Sequence, residues 1–355
     1  MILQETISKR NIEEISLYYK KQGIIADVQL IEKVIYAFYL LELFSKTNID
    51  FIFKGGTSLL LLLNKINRFS IDIDIVINKP INNLEDIFIN MLKENKTFIR
   101  FKEDERKSKI NVPKRHFKFY FNSLIDDKEK YIIMDILFEK SAYINLTKKE
   151  IKSLFLKTGA PLVNVKIPSI DDILGDKLTA FAPNTTGIPY GIGKELEIIK
   201  QLYDISKLFE EIINIEVVLS VFNKICISKL NYRGKKDIKE ENVLEDIYNT
   251  CIIIACRGLI YEDNFNKLKI GIKNIANHIL SEKFTLNEAI LCASKVAYLS
   301  MLLKNRIKKI DYYSNDININ ELVINNDNLI KYLKGLKKIK PEAYYYFYKA
   351  IELHK

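Results

Sequence analysis

Two segments carry side chains whose types and spacing suit chemistry: Lys54-Gly-Gly-Thr-Ser58 and Asn67-Arg-Phe-Ser-Ile-Asp-Ile-Asp74. Asp72 and Asp74 stand two apart, so on a strand their carboxylates share one face. Carboxylates that close repel, and a divalent cation relieves the repulsion. Mg²⁺ takes few protein carboxylates and keeps positions open for phosphate oxygens, so the pair suits a Mg²⁺–nucleotide. Gly55 and Gly56 let a phosphate approach the backbone, and the helix that follows offers free N–H groups to an anion. Thr57 and Ser58 add hydroxyls and Arg68 a fixed positive charge. Lys54 and Ser70 complete the nucleotide-binding candidates of these two segments.

A third acid, Asp135, is the only charged residue in Tyr131-Ile-Ile-Met-Asp-Ile-Leu-Phe138. A lone carboxylate there is costly unless paired or metal-bound. If its strand lies beside that of Asp72 and Asp74, three carboxylates can hold two metals about 3.5–4 Å apart. Singly, each feature has a plainer reading: a turn and helix start, a solvated strand face, a strand-end acid. The order glycine turn, helix, Asp-x-Asp strand, later acidic strand is what points to chemistry.

These residues need elements to hold them. An apolar stripe through Ile31, Val34, Ile35, Phe38, Leu41 and Phe44 predicts helix in residues 1–48. Strands are expected at 51–53, 70–77, 98–101, 116–121, 131–138 and 163–167, with helices over 57–65 and 80–94. After Pro168 helices take over, the first to about Phe181 and the next over 194–210, with later breaks near 231–236, 261–264, 281–285 and 311–319. The domain boundary is placed there: 1–168 as a mixed domain with N-terminal helices, 169–355 as a helical one. The fold class is α+β.

The chain has 355 residues, ample for a core without staples. No apolar run approaches a membrane span, and the N-terminus has no signal-peptide pattern, so a cytoplasmic protein is expected. Cys226, Cys251, Cys256 and Cys292 are scattered and read as small buried hydrophobes, and with three histidines a zinc site is not expected. The net charge of +10 permits a polyanionic partner. Basic residues gather at 106–118, 304–309 and 331–340. Such clusters either neutralise phosphates or form a solvated lysine-rich surface. The aromatic run Tyr344–Tyr348 is expected to pack its helix rather than stack bases.

The KGGTSL and RFSIDIDI segments, with the isolated strand aspartate, resemble the minimal nucleotidyltransferase fold, and within it the AbiEii/AbiGii toxins of type IV toxin–antitoxin systems and their MenT relatives. Ile170-Asp-Asp-Ile-Leu-Gly-Asp-Lys-Leu-Thr-Ala180 is similar to the family's lysine-bearing helix. Lys200-Gln-Leu-Tyr-Asp-Ile-Ser-Lys-Leu208 is similar to its aspartate-bearing helix. The resemblance covers roughly residues 50–305. It implies a mixed sheet with flanking helices followed by an all-helical domain that contributes Lys177 and Asp204 to the site. It further implies transfer of a nucleoside monophosphate from an NTP, with Mg²⁺ or Mn²⁺ on Asp72, Asp74 and Asp135, and Asp135 either at the nucleophile-side metal or as base. Lys177 would meet the triphosphate, and Asp204 would orient Lys177 or the acceptor. The implied acceptor is the 3′ end of tRNA, blocking translation in toxin–antitoxin or phage-defence systems, with an antitoxin encoded nearby.

The alternatives are a protein or small-molecule acceptor, or a catalytically silent NTP-binding protein. By spacing alone Lys177 reads as a surface lysine and Asp204 as the i, i+4 partner of Lys200. Gln201, Leu202 and Tyr203 stand where the family carries charges.

Overall fold

The computed structural model describes residues 1–105 and 112–354. It divides into two compact units, Met1–Ser169 with Asn277–Glu282, and Ile170–Ala276 with Lys283–Lys355.

The first unit opens with helices α1 (Lys9–Lys21) and α2 (Val28–Ser45). Ser8 and Asp27 cap them by accepting hydrogen bonds from the amides of Asn11 and Gln29. Then come β1 (Ile52–Lys54), α3 (Gly55–Leu62), β2 (Ile73–Ile77) and α4 (Leu84–Lys93). The strands β3 (Arg100–Glu103), β4 (Lys114–Asn122), β5 (Glu129–Phe138), β6 (Leu146–Glu150) and β7 (Asn164–Pro168) complete it. The main sheet has the order β1-β2-β5-β4-β3. Among the described residues, β2 and β5 pair in parallel and the other neighbours are antiparallel, so the sheet is mixed. β6 and β7 form a separate antiparallel pair. β6 was not anticipated: its sequence, Leu-Thr-Lys-Lys-Glu, is polar and largely exposed, so it carries no alternation to read.

Alternation on β4 and β5 is clean. Phe117, Phe119, Phe121, Ile132, Met134 and Ile136 are buried on one face. Helices α2 and α4 cover that face. Phe88 of α4 sits 4.9–5.3 Å from the rings of Phe101, Phe117 and Phe119. Tyr36 of α2 stacks 3.7 Å over Phe121. The opposite face carries Lys114, His116 and Asp135, so one period-two pattern builds a core and lays out polar groups behind it. Buried Glu32 pins α2 to the β4–β5 turn, accepting hydrogen bonds from Ser123 Oγ at 2.8 Å and the Leu124 amide at 2.6 Å.

Asn277–Glu282 joins this unit through backbone pairing. The Phe69 amide donates to the His278 carbonyl and the Leu280 amide to the Asn67 carbonyl, each at 2.8 Å.

The second unit is helical: α5 (Ile170–Ala180), α6 (Glu195–Phe209), α7 (Ile215–Tyr232), α8 (Glu240–Ala255), α9 (Glu262–Ile275), α10 (Leu286–Lys304), α11 (Asp327–Leu333), α12 (Leu336–Ile339) and α13 (Pro341–Leu353). α10 is its core, packed on α6, α8, α9 and α13. Among the described residues α10 is the one helix long and apolar enough to cross a membrane, and most of it is buried within the unit. Gly175 lets α5 cross α7 closely, since a Cβ there would meet the Val218 carbonyl oxygen at 2.7 Å. Tyr344, Tyr345, Tyr346 and Phe347 are buried, with Tyr346 packed on Tyr298 and Phe209, so this aromatic run packs its helix. The four cysteines are buried and free, and burial raises the Cys226 and Cys256 thiols to about 12.

Because Phe88 is wholly buried among phenylalanines, Phe88→Ala should destabilise the protein by about 3–5 kcal/mol in chemical denaturation. Ile25→Ala, at a site 95% exposed, should change it by less than about 0.5 kcal/mol.

Candidate functional site

β1 ends at Lys54 and the chain turns at once into α3. The turn depends on Gly55, whose φ of +78° is a conformation L side chains rarely adopt. Space demands glycine as well. A Cβ on Gly55 would lie 2.2 Å from Asp74 Oδ2, and one on Gly56 would lie 2.6 Å from Ser70 Oγ and 2.7 Å from Arg68 Nη2. The glycines therefore seat the site's own Asp74, Arg68 and Ser70, a reason distinct from the phosphate approach expected from sequence.

The neighbouring hydroxyls work inside the turn. Thr57, fully buried, donates to the Asp72 carbonyl at 2.6 Å and lies 3.0 Å from Ser70 Oγ. Ser58, also fully buried, donates to the Gly55 carbonyl at 2.8 Å. Both hold the loop that presents the acids. Arg68 is buried and its Nη1 donates to the Phe69 carbonyl at 2.7 Å. Its backbone is bridged to Ile279.

β2 begins at Ile73, later than the expected residue 70. Asp72 precedes the strand and Asp74 lies within it. The parallel register sets Asp74 opposite Asp135 on β5. The antiparallel registers set Lys54 opposite Asp74 and His116 opposite Asp135. Paired residues share a sheet face, so Lys54, Asp74, Asp135 and His116 form a row across four strands. The Lys54 ammonium lies 5.8 Å from the Tyr143 ring centroid.

Both oxygens of Asp135 are engaged: Oδ2 accepts from Lys114 Nζ at 2.6 Å and Oδ1 from His116 Nδ1 at 2.6 Å. A carboxylate only accepts, so Nδ1 carries the imidazole proton. Burial raises the Asp135 carboxyl, but His116 and Lys114 together outweigh it and bring the group down to about 2. Among the described residues, no three His, Cys, Asp or Glu side chains converge as a metal-ligand group. Asp72 and Asp74, two residues apart, carry the oxygen donors that Mg²⁺ takes, and the Asp74 carboxylate lies where a Cβ on Gly55 would be.

Lys177 and Asp204 meet in the second unit. Lys177 Nζ lies 2.7 Å from Asp204 Oδ2, both side chains being under 10% exposed. It is also 3.5 Å from Gln201 Oε1. The plainer reading from spacing does not hold for Lys177, which is no surface lysine, and Lys200 Nζ bonds Glu197 at 3.0 Å. Gln201, which departs from the family's charged pattern, brings its amide oxygen to the lysine.

Sequence reasoning passed over two residues. Lys114 was counted only as part of a basic cluster, and His116 was given no chemistry. The β4–β5 hairpin register would have found both, since it puts His116 opposite Asp135 and Lys114 two residues along on the same face.

Several described members of the first two basic clusters are ion-paired. Arg115 bonds Glu103 and Glu85, and Lys118 lies 3.0 Å from Asp104. Lys304 and Lys308 lie 2.6 and 2.7 Å from Glu245 and Glu216. Arg106, Lys107 and Lys109 fall outside the described residues.

Among solved structures, the chain is similar to JHP933 from Helicobacter pylori, at 14% identity over 79% of this chain and 94% of that one, with a TM-score of 0.44. It is also similar to a candidate nucleotidyltransferase of H. pylori, at 16% identity over 84% and 99% with a TM-score of 0.40. An antigenic nucleotidyltransferase-like protein from Paracoccidioides brasiliensis aligns at 14% identity over 59% and 93%, with a TM-score of 0.36. No curated protein matches the chain. The family profile described as nucleotidyl transferase AbiEii toxin, type IV TA system, matches residues 39–263, more than half of the chain. That span contains the glycine turn, the Asp-x-Asp segment, Asp135, Lys177 and Asp204, and the chain belongs to the AbiEii nucleotidyltransferase toxin family.

Proposed function

We propose that this protein transfers a nucleoside monophosphate from an NTP to the 3′ end of an RNA, with tRNA as the acceptor. The observation that carries the reading is the placement of Asp74 beside Asp135 on paired strands, under a glycine turn shaped around the Asp74 carboxylate. Asp72 and Asp74 are the residues to hold Mg²⁺, which when bound neutralises charge on the reacting phosphate. The acceptor hydroxyl oxygen bonds to the α-phosphorus as the bond to the α–β bridging oxygen breaks. Pyrophosphate leaves with that electron pair, and the hydroxyl proton passes to water. Such transfer asks of the protein mainly positioning and charge neutralisation. The turn held by Thr57 and Ser58 fixes the Asp72 backbone, and Gly55 fixes the approach to Asp74.

Lys177 contributes a positive charge to the same transfer, with Asp204 as its orienting partner. The RNA acceptor rests on family resemblance and on the net charge of +10. The type IV system points to an antitoxin partner, and the site of action is the cytoplasm.

Incubation with Mg²⁺, each labelled NTP and total tRNA should place label on RNA. Label on protein alone would replace the RNA acceptor with a protein one, and NTP binding without transfer would make the chain a silent binder. Asp74→Asn should lower transfer by about 100–1,000-fold with the fold intact. Gly55→Ala, forced into positive φ and against Asp74, should cost about 1–3 kcal/mol of stability in addition to transfer activity. Lys177→Met leaves Asp204 buried without its ammonium and should destabilise by about 3–5 kcal/mol in denaturant titrations. In Lys177→Met with Asp204→Leu, the stability loss should be smaller than the sum of the single losses, while transfer stays low.

A further inference from the structure

The sheet face that carries His116 and Asp135 continues beyond them over β3, β4 and β5. Arg100 stands opposite Tyr120, Lys102 opposite Lys118 and Tyr120 opposite Tyr131, so alternation puts all five on this face. On the other face the same strands bury phenylalanines. Here Tyr131 is 39% exposed, and Arg100 and Lys102 are exposed as well. Cations gather at the two tyrosines. The Arg100 guanidinium lies 3.5 Å from the Tyr120 ring centroid, and the Lys118 and Lys33 ammoniums lie 5.1 and 5.9 Å from that of Tyr131. The two rings are 5.7 Å apart. Tyr131 precedes Asp135 on β5 by four residues, about 13 Å at the usual strand rise.

The charges on this face are not fully answered within it. Lys102 and Lys118 pair directly across β3–β4, and like charges so placed destabilise a strand pair. Asp104, 3.0 Å from Lys118, offsets part of that repulsion. Glu129 holds Arg100, accepting from its Nε at 3.1 Å, in a pair exposed on both sides. Exposed ion pairs contribute little net energy, so such cations exchange readily for a phosphate.

We propose that this basic, tyrosine-bearing face is the platform for a single-stranded 3′ segment of the RNA acceptor, and that β5 leads its terminal hydroxyl to the row of Asp135 and Asp74. This rests on the nucleotidyltransferase reading above and deepens it. Phosphates take Lys102, Lys118 and Lys33. One base stacks on Tyr131 and another on the Arg100 guanidinium, which is itself backed by Tyr120. A base-paired duplex offers a flat sheet no free base faces, so it is the single strand that uses both the rings and the lysines. An acidic peptide would meet the lysines and leave the rings unused. Stacking and phosphate contacts tolerate every base, so the platform selects an unpaired end and not a sequence.

The test is fluorescence anisotropy of a short 5′-labelled single-stranded oligoadenylate, titrated with the full chain at several salt concentrations. Tyr131→Leu, which keeps an apolar side chain beside Tyr120, should weaken binding by about 5–100-fold, and Tyr131→Phe should hold wild-type affinity. Lys102→Met should lower the slope of log affinity against log salt by about 0.7. It should do so without lowering the thermal midpoint, because it removes a like-charge pair. Tyr18→Ala, at an exposed tyrosine of α1, should bind as the wild type does. Transfer should follow binding, with the KM for tRNA raised in Tyr131→Leu. Circular dichroism checks that each variant is folded, and if Tyr131→Leu is not, Lys102→Met decides. Wild-type affinity in Tyr131→Leu, or an unchanged salt slope in Lys102→Met, would overturn the proposal, as would a wild type that does not bind the oligonucleotide. Whether label reaches RNA is read separately. RNA labelled by a chain that fails these binding tests leaves the transfer reading standing, and label on protein alone ends the RNA acceptor and the platform together.

Discussion

Carboxylates forced together on neighbouring strands must have their charge compensated, and the sheet of the first unit is organised around that constraint. Asp74 and Asp135 stand side by side across the parallel β2–β5 pairing. Like charges directly opposite destabilise a strand pair. The compensation is laid out in the same row and on the same face. Lys54 stands opposite Asp74, and His116 and Lys114 hold Asp135. The apolar face behind, closed by Phe88 and Tyr36, fixes the strand registers. A one-residue slip of β4 would exchange His116 for a core phenylalanine and break both the core and the charge row.

The glycine turn follows from the same constraint. With no Cβ, Gly55 and Gly56 allow Asp74, Ser70 and Arg68 to crowd against the backbone, and Thr57 and Ser58 lock the loop in that position. Asn277–Glu282 then pairs with the Asn67–Phe69 backbone, so the segment leading into the acids is braced by chain more than two hundred residues downstream. In the second unit the same economy of charge appears at Lys177 and Asp204, which are buried together. A buried charge persists only with its partner, and the partner sets where it points.

Much of this was legible in the residues. The glycine turn, the Asp-x-Asp segment, the solitary acid of the Tyr131–Phe138 strand and the shift to helices after Pro168 were each visible from spacing and alternation. So was the packing role of the Tyr344–Tyr348 run. β6 was not visible, because an exposed polar strand has no hydrophobic period. The sequence shows the Thr57 and Ser58 hydroxyls but not the Asp72 and Gly55 carbonyls that accept their hydrogen bonds. For the lysine-rich clusters the sequence leaves phosphate binding and a solvated surface both open, because it shows the cations of a patch and hides the acids folded against them, as with Arg115 and Glu103, Lys118 and Asp104, or Lys304 and Glu245.

The sequence by itself determined which residue types are present and which local periods they follow, and these specify the elements, the acids and the family. Tertiary structure alone decided what each charge faces. Asp135 and Lys114 lie twenty-one residues apart, Lys177 and Asp204 twenty-seven, and Phe69 and His278 more than two hundred. Those separations close only when strand register and helix packing bring the chain back on itself. Coulomb energy depends on distance in space and on burial, not on position along the chain.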